Sequence, residues 1–142
     1  MRLLWTLDHG LQRTSKQMAS SLGITGPQRM VLRILGRFPG LTAGRLAHIL
    51  CVHPSTLSGV LKRLQRKGLI ERCADPRDRR RAQLGLTDTG RRLDMESPGT
   101  VEAAIQKTLR GLPSSRVNAA REVLTALADA LDDGPKRRGA SR

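Results

Sequence analysis

Residues 42–92, TAGRLAHILCVHPSTLSGVLKRLQRKGLIERCADPRDRRRAQLGLTDTGRR, decide the fold. Thr42 carries a hydroxyl able to cap a helix, and Leu46, Ile49 and Leu50 then share one apolar side, which predicts a helix of about two turns. Cys51, Val52 and His53 interrupt the pattern. Pro54, with a fixed φ and no N–H, suits the first position of a second helix. From Pro54 to Lys67 the apolar Leu57, Val60, Leu61 and Leu64 recur at three- and four-residue spacing, while Ser55, Ser58, Lys62, Arg63, Arg66 and Lys67 fall mainly elsewhere. One face is built to pack and the other is basic. Gly68 can take the left-handed conformation that ends a helix. Leu69–Cys73 and Ala82–Leu86 then read as two short strands joined by DPRDRRR, Asp75–Arg81. Pro76 favours a turn there, and four arginines within five residues charge its tip. Thr87-Asp88-Thr89-Gly90 predicts a capped helix starting at about Asp88.

Two short helices joined by a tight turn place the second in a DNA major groove, with its N-terminal side chains at the base edges. Pro54, Ser55, Thr56 and Ser58 are therefore the expected contacts at the helix start. Ser55 has a second reading, as the helix cap, which would leave Thr56 and Ser58 to read. Lys62, Arg63 and Arg66 are placed to hold phosphates, which fix register without conveying sequence. Arg77, Arg79, Arg80 and Arg81 at the wing tip are expected to enter an adjacent minor groove. On charge alone an arginine run is a solvated surface; its position between two strands, after a basic helix, points to anions instead.

The run HPSTLSGVLKRLQRKGLIER, the wing DPRDRRR and the following LGLTDTG together resemble the MarR family of bacterial winged-helix regulators. The D-x-R-D-x-R pattern common in that family's wing is matched by Asp75, Arg77, Asp78 and Arg80. The resemblance is strongest over about a third of the chain, and the order of elements extends it to nearly all. It implies a homodimer on an inverted-repeat operator, usually a repressor, often released by a small ligand or by oxidation. The expected fold is mainly α with a small β-hairpin wing: a winged helix-turn-helix flanked by N- and C-terminal dimerisation helices.

Composition agrees. Lys plus Arg number 26 against 12 Asp plus Glu, a net charge of +14 on 142 residues, so a densely anionic partner is expected. Half of that charge lies between Lys62 and Arg92, where eleven basic residues face four acidic ones. With only Trp5 and Phe38 as aromatics, the chain lacks the platforms on which single-stranded RNA modules stack bases. No apolar run approaches the 18 residues of a membrane span, and Asp8 and His9 interrupt the first apolar stretch. The expected location is the cytoplasm, with no membrane partner. Two cysteines do not suggest a secreted disulfide scaffold.

Outside the winged segment, 24–92, the two ends carry apolar stripes. Leu3, Leu4, Leu7, Leu11, Met18 and Leu22 follow helical spacing within 1–23, and Gly23 can stop that helix. Val117, Ala120, Val123, Leu124, Leu127 and Leu131 form a second stripe within 93–133. Neither face can hide on a compact winged domain alone. A twofold dimer would bury both, with Leu3, Leu4, Leu7, Leu11, Val117, Leu124, Leu127 and Leu131 at its interface; packing within one subunit is the blander alternative. Thr100–Leu109 predicts a further helix, and Ser97-Pro98-Gly99 before it predicts a break where the resembled family commonly runs one long helix. Gly26-Pro27-Gln28 begins another helix, with Met30, Val31, Ile34 and Leu35 as its expected core, ending at Phe38-Pro39-Gly40. Residues 134–142 read as a disordered basic tail.

Other chemistries find little footing. There is no GxSxG, no phosphate-binding glycine loop and no carboxylate pair in a tuning environment, so no enzyme and no cofactor is expected. Cys51 and Cys73 flank the reading helix and lie on the wing strand, but a free cysteine is ordinarily a small inert hydrophobe. Residues Thr14, Ser15, Ser20 and Ser21 occupy the first helix, where peroxide-sensing relatives generally carry their cysteine. A metal site from His48, Cys51, His53 and Cys73 matches no zinc spacing, and none is expected. The alternatives to a DNA-binding regulator are a winged-helix protein-interaction module and a nonspecific basic nucleic-acid binder. The first predicts an apolar patch on the exposed face of 54–67.

Overall fold

A computed structural model describes residues 1–74 and 82–132. Its elements run α1 Arg2–Ser21, α2 Gly26–Arg37, β1 Leu41–Thr42, α3 Ala43–Ile49, α4 Pro54–Arg66, β2 Ile70–Ala74, β3 Ala82–Leu86, α5 Asp88–Asp94, α6 Val101–Leu109 and α7 Ser114–Asp132. The chain divides into two compact units between Ala103 and Ala104. The expected winged helix-turn-helix lies within the first.

Local chemistry sets each boundary. α1 ends at Ser21 with Leu22 as its C-cap, followed by Gly23 at φ +70°. Thr25 and Gln28 form a reciprocal capping box at the start of α2, with Pro27 in its first turn. Thr42 accepts the Arg45 N–H at 3.4 Å and caps α3. Gly68, at φ +63°, ends the segment after α4 as its position predicts. The helix-turn-helix turn itself rests on Cys51 at φ +51°, a left-handed conformation that favours glycine.

The sheet has strand order β1-β3-β2, antiparallel throughout. Strands β2 and β3 pair from Ile70↔Leu86 to Ala74↔Ala82, so the first wing strand sits one residue later than its predicted span. β1 was not foreseen: Leu41 pairs with Leu84 and Thr42 with Gln83, and two residues are too few to show alternation.

The core of the first unit gathers Ile24 with Val31, Leu32 and Leu35 of α2, Leu46 of α3, Leu57, Leu61 and Leu64 of α4, and Leu84 and Leu86 of β3. Each such side chain contributes about 1.5–3 kcal/mol by leaving water. α2 packs against α4, α5 and β3, and so backs the helix whose outer face is polar. Its buried arc runs through Gln28, Arg29, Val31, Leu32 and Leu35, so of the expected core Val31 and Leu35 are buried and Met30 and Ile34 are not. Met30 is 57% exposed and Ile34 only partly buried, because the buried face of α2 is centred on Gln28, Val31, Leu32 and Leu35 and includes Arg29. Ile49, also expected on the apolar side, is exposed, since the short α3 buries only Leu46 and Ala47.

One hydroxyl joins the base of the wing to α5. Thr87 accepts the Gly90 N–H at 3.1 Å, capping α5, and donates to the Gly68 carbonyl at 2.6 Å. The Thr87 N–H donates to the Leu69 carbonyl at 3.2 Å. Gly90 is buried against that same carbonyl: a Cβ there would lie 2.0 Å from the Leu69 oxygen. Backbone on both sides leaves no rotamer to relieve the clash, so Gly90→Ala is expected to cost about 2–3 kcal/mol. Urea unfolding checks this; a midpoint unchanged from the parent would mean that α5 and the wing base are not in this register.

Candidate nucleic-acid interface

α4 places its residues by helical period. Leu57, Leu61 and Leu64 are buried, and the opposite face presents Ser55, Lys62 and Arg66, all exposed, with Arg63 and Thr56 beside them. Pro54 is exposed at the first turn and Ser58 is half-buried. Gly59, between Ser55 and Lys62, adds no side chain to this face. The result is a polar start and a basic continuation, with no large apolar side chain on the outer surface of the helix.

The cap of α4 is His53, not Ser55. His53 Nδ1 accepts the Ser55 N–H at 3.3 Å, and Ser55 Oγ lies 2.7 Å from the same nitrogen. Pro54 follows directly, where its missing N–H leaves nothing unsatisfied. Histidine is outside the usual set of capping residues, so only the proline signalled this boundary in the sequence. At the other end Lys67 Nζ donates to the Gly23 carbonyl, tying the last turn of α4 to the loop before α2.

The wing strands continue the basic surface through exposed Arg72 on β2. Arg77, Arg79, Arg80 and Arg81, with Asp75 and Asp78 of the wing motif, lie outside the described residues. So do residues 134–142. Cys51 and Cys73 are exposed free thiols. Among the described residues no three His, Cys, Asp or Glu side chains gather as a metal site, and His48, Cys51, His53 and Cys73 are no exception.

Behind the wing, sequence reasoning missed a buried cation. Arg29, 1% exposed, reaches across to the end of α5 and the start of α6. Its guanidinium donates to the Glu102 carboxylate, the Leu93 carbonyl and, at 2.7 Å, the Met95 carbonyl. Arg33, one turn along α2, donates to the Asp94 carbonyl and to its carboxylate, the latter at 3.1 Å. Burial pushes the Asp94 carboxyl above its ordinary pKa despite Arg33, so the ion pair only partly offsets the cost of burying that charge. Asp88, at the start of α5, behaves oppositely: the hydrogen bond and charge of Arg91 hold it below the usual carboxylate range. The predicted break is present, with α5 ending at Asp94, Gly99 at φ +75° and α6 beginning at Val101. Thr100, 1% exposed, donates to the Ser97 carbonyl at 2.8 Å and accepts the Ala103 N–H at 3.3 Å.

The terminal stripes are uncovered. Leu3 is 75% exposed, Leu7 59% and Leu11 48%, with Leu4 and Trp5 also exposed, while Met18 on the same helix is buried. In the second unit Val123, Leu124, Leu127 and Leu131 are exposed, Leu131 by 80%, and Val117 is half-buried. No helix among the described residues is long and apolar enough to cross a membrane.

Comparison with known proteins agrees with this geometry. The family model described as "MarR family" matches residues 22–81, from the end of α1 to the wing. An HTH-type transcriptional repressor of Mycobacterium tuberculosis is 30% identical over 125 residues, covering 88% of this chain and 90% of the relative. The chain belongs to the MarR family. MarR proteins are transcription regulators rather than enzymes. The PcaV transcriptional regulator from Streptomyces coelicolor, solved in complex with its natural ligand, superposes with a TM-score of 0.73 at 29% identity, covering 91% of each chain. The S. aureus MepR-DNA complex gives a TM-score of 0.74 at 27% identity, covering 92% of this chain and 96% of that one. The MarR match includes every one of the expected DNA-contacting positions, from Pro54 to Arg81.

Proposed function

We propose that this chain is a sequence-specific, double-stranded DNA-binding transcription regulator, a repressor that acts in the cytoplasm as a homodimer on an inverted-repeat operator. The observation that carries the reading is the two-sidedness of α4: its leucines are buried, and its outer face is Ser55, Lys62 and Arg66. A protein-interaction helix would put apolar side chains there. In each protomer α4 enters a major groove, Pro54, Ser55, Thr56 and Ser58 meet base edges, and Lys62, Arg63 and Arg66 hold phosphates. Arg77, Arg79, Arg80 and Arg81 of the wing reach the neighbouring minor groove.

The exposed stripes support the dimer. Leu3, Leu4, Leu7 and Leu11 near one end, and Leu124, Leu127 and Leu131 near the other, are apolar surface that a second copy removes from water. Residues 1–23 and 93–133 are assigned to that interface and 24–92 to DNA. A small ligand that binds two spacings of the paired α4 helices with different affinity would control release. The ligand-bound relative supports this regulation, and the repressor relative supports the sign of control.

The test is selection of bound duplexes from fragmented source genome, at near-physiological salt with excess nonspecific competitor. Enrichment of an inverted repeat with half-sites about 10 base pairs apart, one helical turn, is the expected result. Retention of duplex without any enriched sequence would overturn the reading in favour of a nonspecific binder.

A further inference from the structure

The first hydroxyl of the reading helix is not free to choose its hydrogen-bonding role. A backbone amide can only donate, so of the two tautomers of His53 the one that satisfies the Ser55 N–H, 3.3 Å from Nδ1, has a lone pair and no proton on that nitrogen. The neutral ring therefore has its proton on Nε2. Ser55 Oγ lies 2.7 Å from the same unprotonated nitrogen. Two lone pairs cannot meet at that distance without a proton between them, and the only proton available is that of the Ser55 hydroxyl. Ser55 thus donates to His53, and the lone pair on Nδ1 is shared between a short hydroxyl bond and a longer amide bond.

A serine hydroxyl ordinarily pairs with either kind of base edge, because its one proton can turn toward an acceptor or away from a donor. Here the proton is committed. Both side chains are exposed at the start of α4, and Oγ retains only acceptor capacity toward a partner. In the major groove the donors are the exocyclic amines of adenine and cytosine; guanine and thymine offer acceptors.

We infer that His53 is a specificity-determining residue, which holds Ser55 as a hydrogen-bond acceptor so that Ser55 selects an adenine or cytosine amine in each half-site. The inference rests on α4 lying in the major groove, as proposed for this chain's function. His53 acts as a positioning residue, setting the polarity with which its neighbour reads.

Duplex selection with a randomised half-site separates the two claims, using the full chain and the variants His53→Asp, His53→Ala and Ser55→Ala. Aspartate is a strong helix cap and has acceptors only, so His53→Asp keeps both the cap and the polarity of Ser55. The parent and His53→Asp should enrich adenine or cytosine at one position by about fivefold, the lower end of what a good base contact discriminates. His53→Ala and Ser55→Ala should lose that preference at the same position while the rest of the site is retained. Thermal melts followed by circular dichroism confirm that each variant is folded. An unchanged preference in His53→Ala, or a reversed one in His53→Asp, overturns the role of His53 and leaves DNA reading intact. No enriched sequence with the parent protein overturns both.

Discussion

Arg29→Met is expected to destabilise the first unit by about 3 kcal/mol, the low end of the range for removing one partner of a buried ion pair, because the Glu102 side chain left behind is 26% exposed. Methionine fills much of the volume and keeps an apolar stem, so packing is not the main loss. What goes is the partner of three oxygens at once: the Glu102 carboxylate and the Leu93 and Met95 carbonyls. Pairing the change with Glu102→Leu removes the stranded carboxylate and should recover part of the loss, but the two carbonyls remain unsatisfied. Urea unfolding followed by circular dichroism measures both variants. A loss under about 1 kcal/mol in the single variant would show that water takes over these oxygens and that Arg29 is not the anchor.

The second large effect falls on binding. Replacing Lys62, Arg63 and Arg66 together by glutamine should leave stability within about 0.5 kcal/mol, because all three side chains are exposed. In a dimer six positive charges are removed. If each meets a phosphate, the slope of log affinity against log salt flattens by about 5, and affinity near 0.1 M salt falls on the order of a thousandfold or more. Fluorescence anisotropy across a salt series reads both quantities. An unchanged slope would place these side chains away from the duplex, whatever happened to affinity.

Much of the fold was legible because the signals were periodic or chemically restrictive. The leucines of α4, Pro54 at its start, Gly68 at its end and Thr87 before α5 each admit few conformations, and each sits where its chemistry requires. Other features were invisible for physical reasons. Arg29 stands among Met30, Val31 and Leu32, and nothing local tells a buried cation from a solvated one; its partners lie more than sixty residues away. His53 was hidden by type, since a ring nitrogen capping a helix looks in sequence like an ordinary turn residue. The apolar stripes of α1 and α7 were legible as faces, and the second copy proposed to cover them is inferred from their exposure.

The interruption between α5 and α6 has a bearing on how this chain tolerates change in length. In a continuous helix each inserted residue rotates everything beyond it by about 100° and advances it by about 1.5 Å, so an insertion at the joint would misdirect the next apolar face. Here α5 stops at Asp94, Arg29 grips the carbonyls on either side of that stop, and Thr100 begins a new count by capping α6. The phase of α6 is set afresh by Thr100 and Glu102 rather than inherited from α5. A residue gained or lost between Glu96 and Gly99 falls in irregular chain rather than inside a helix, so it leaves the register of the helix that Thr100 begins unchanged.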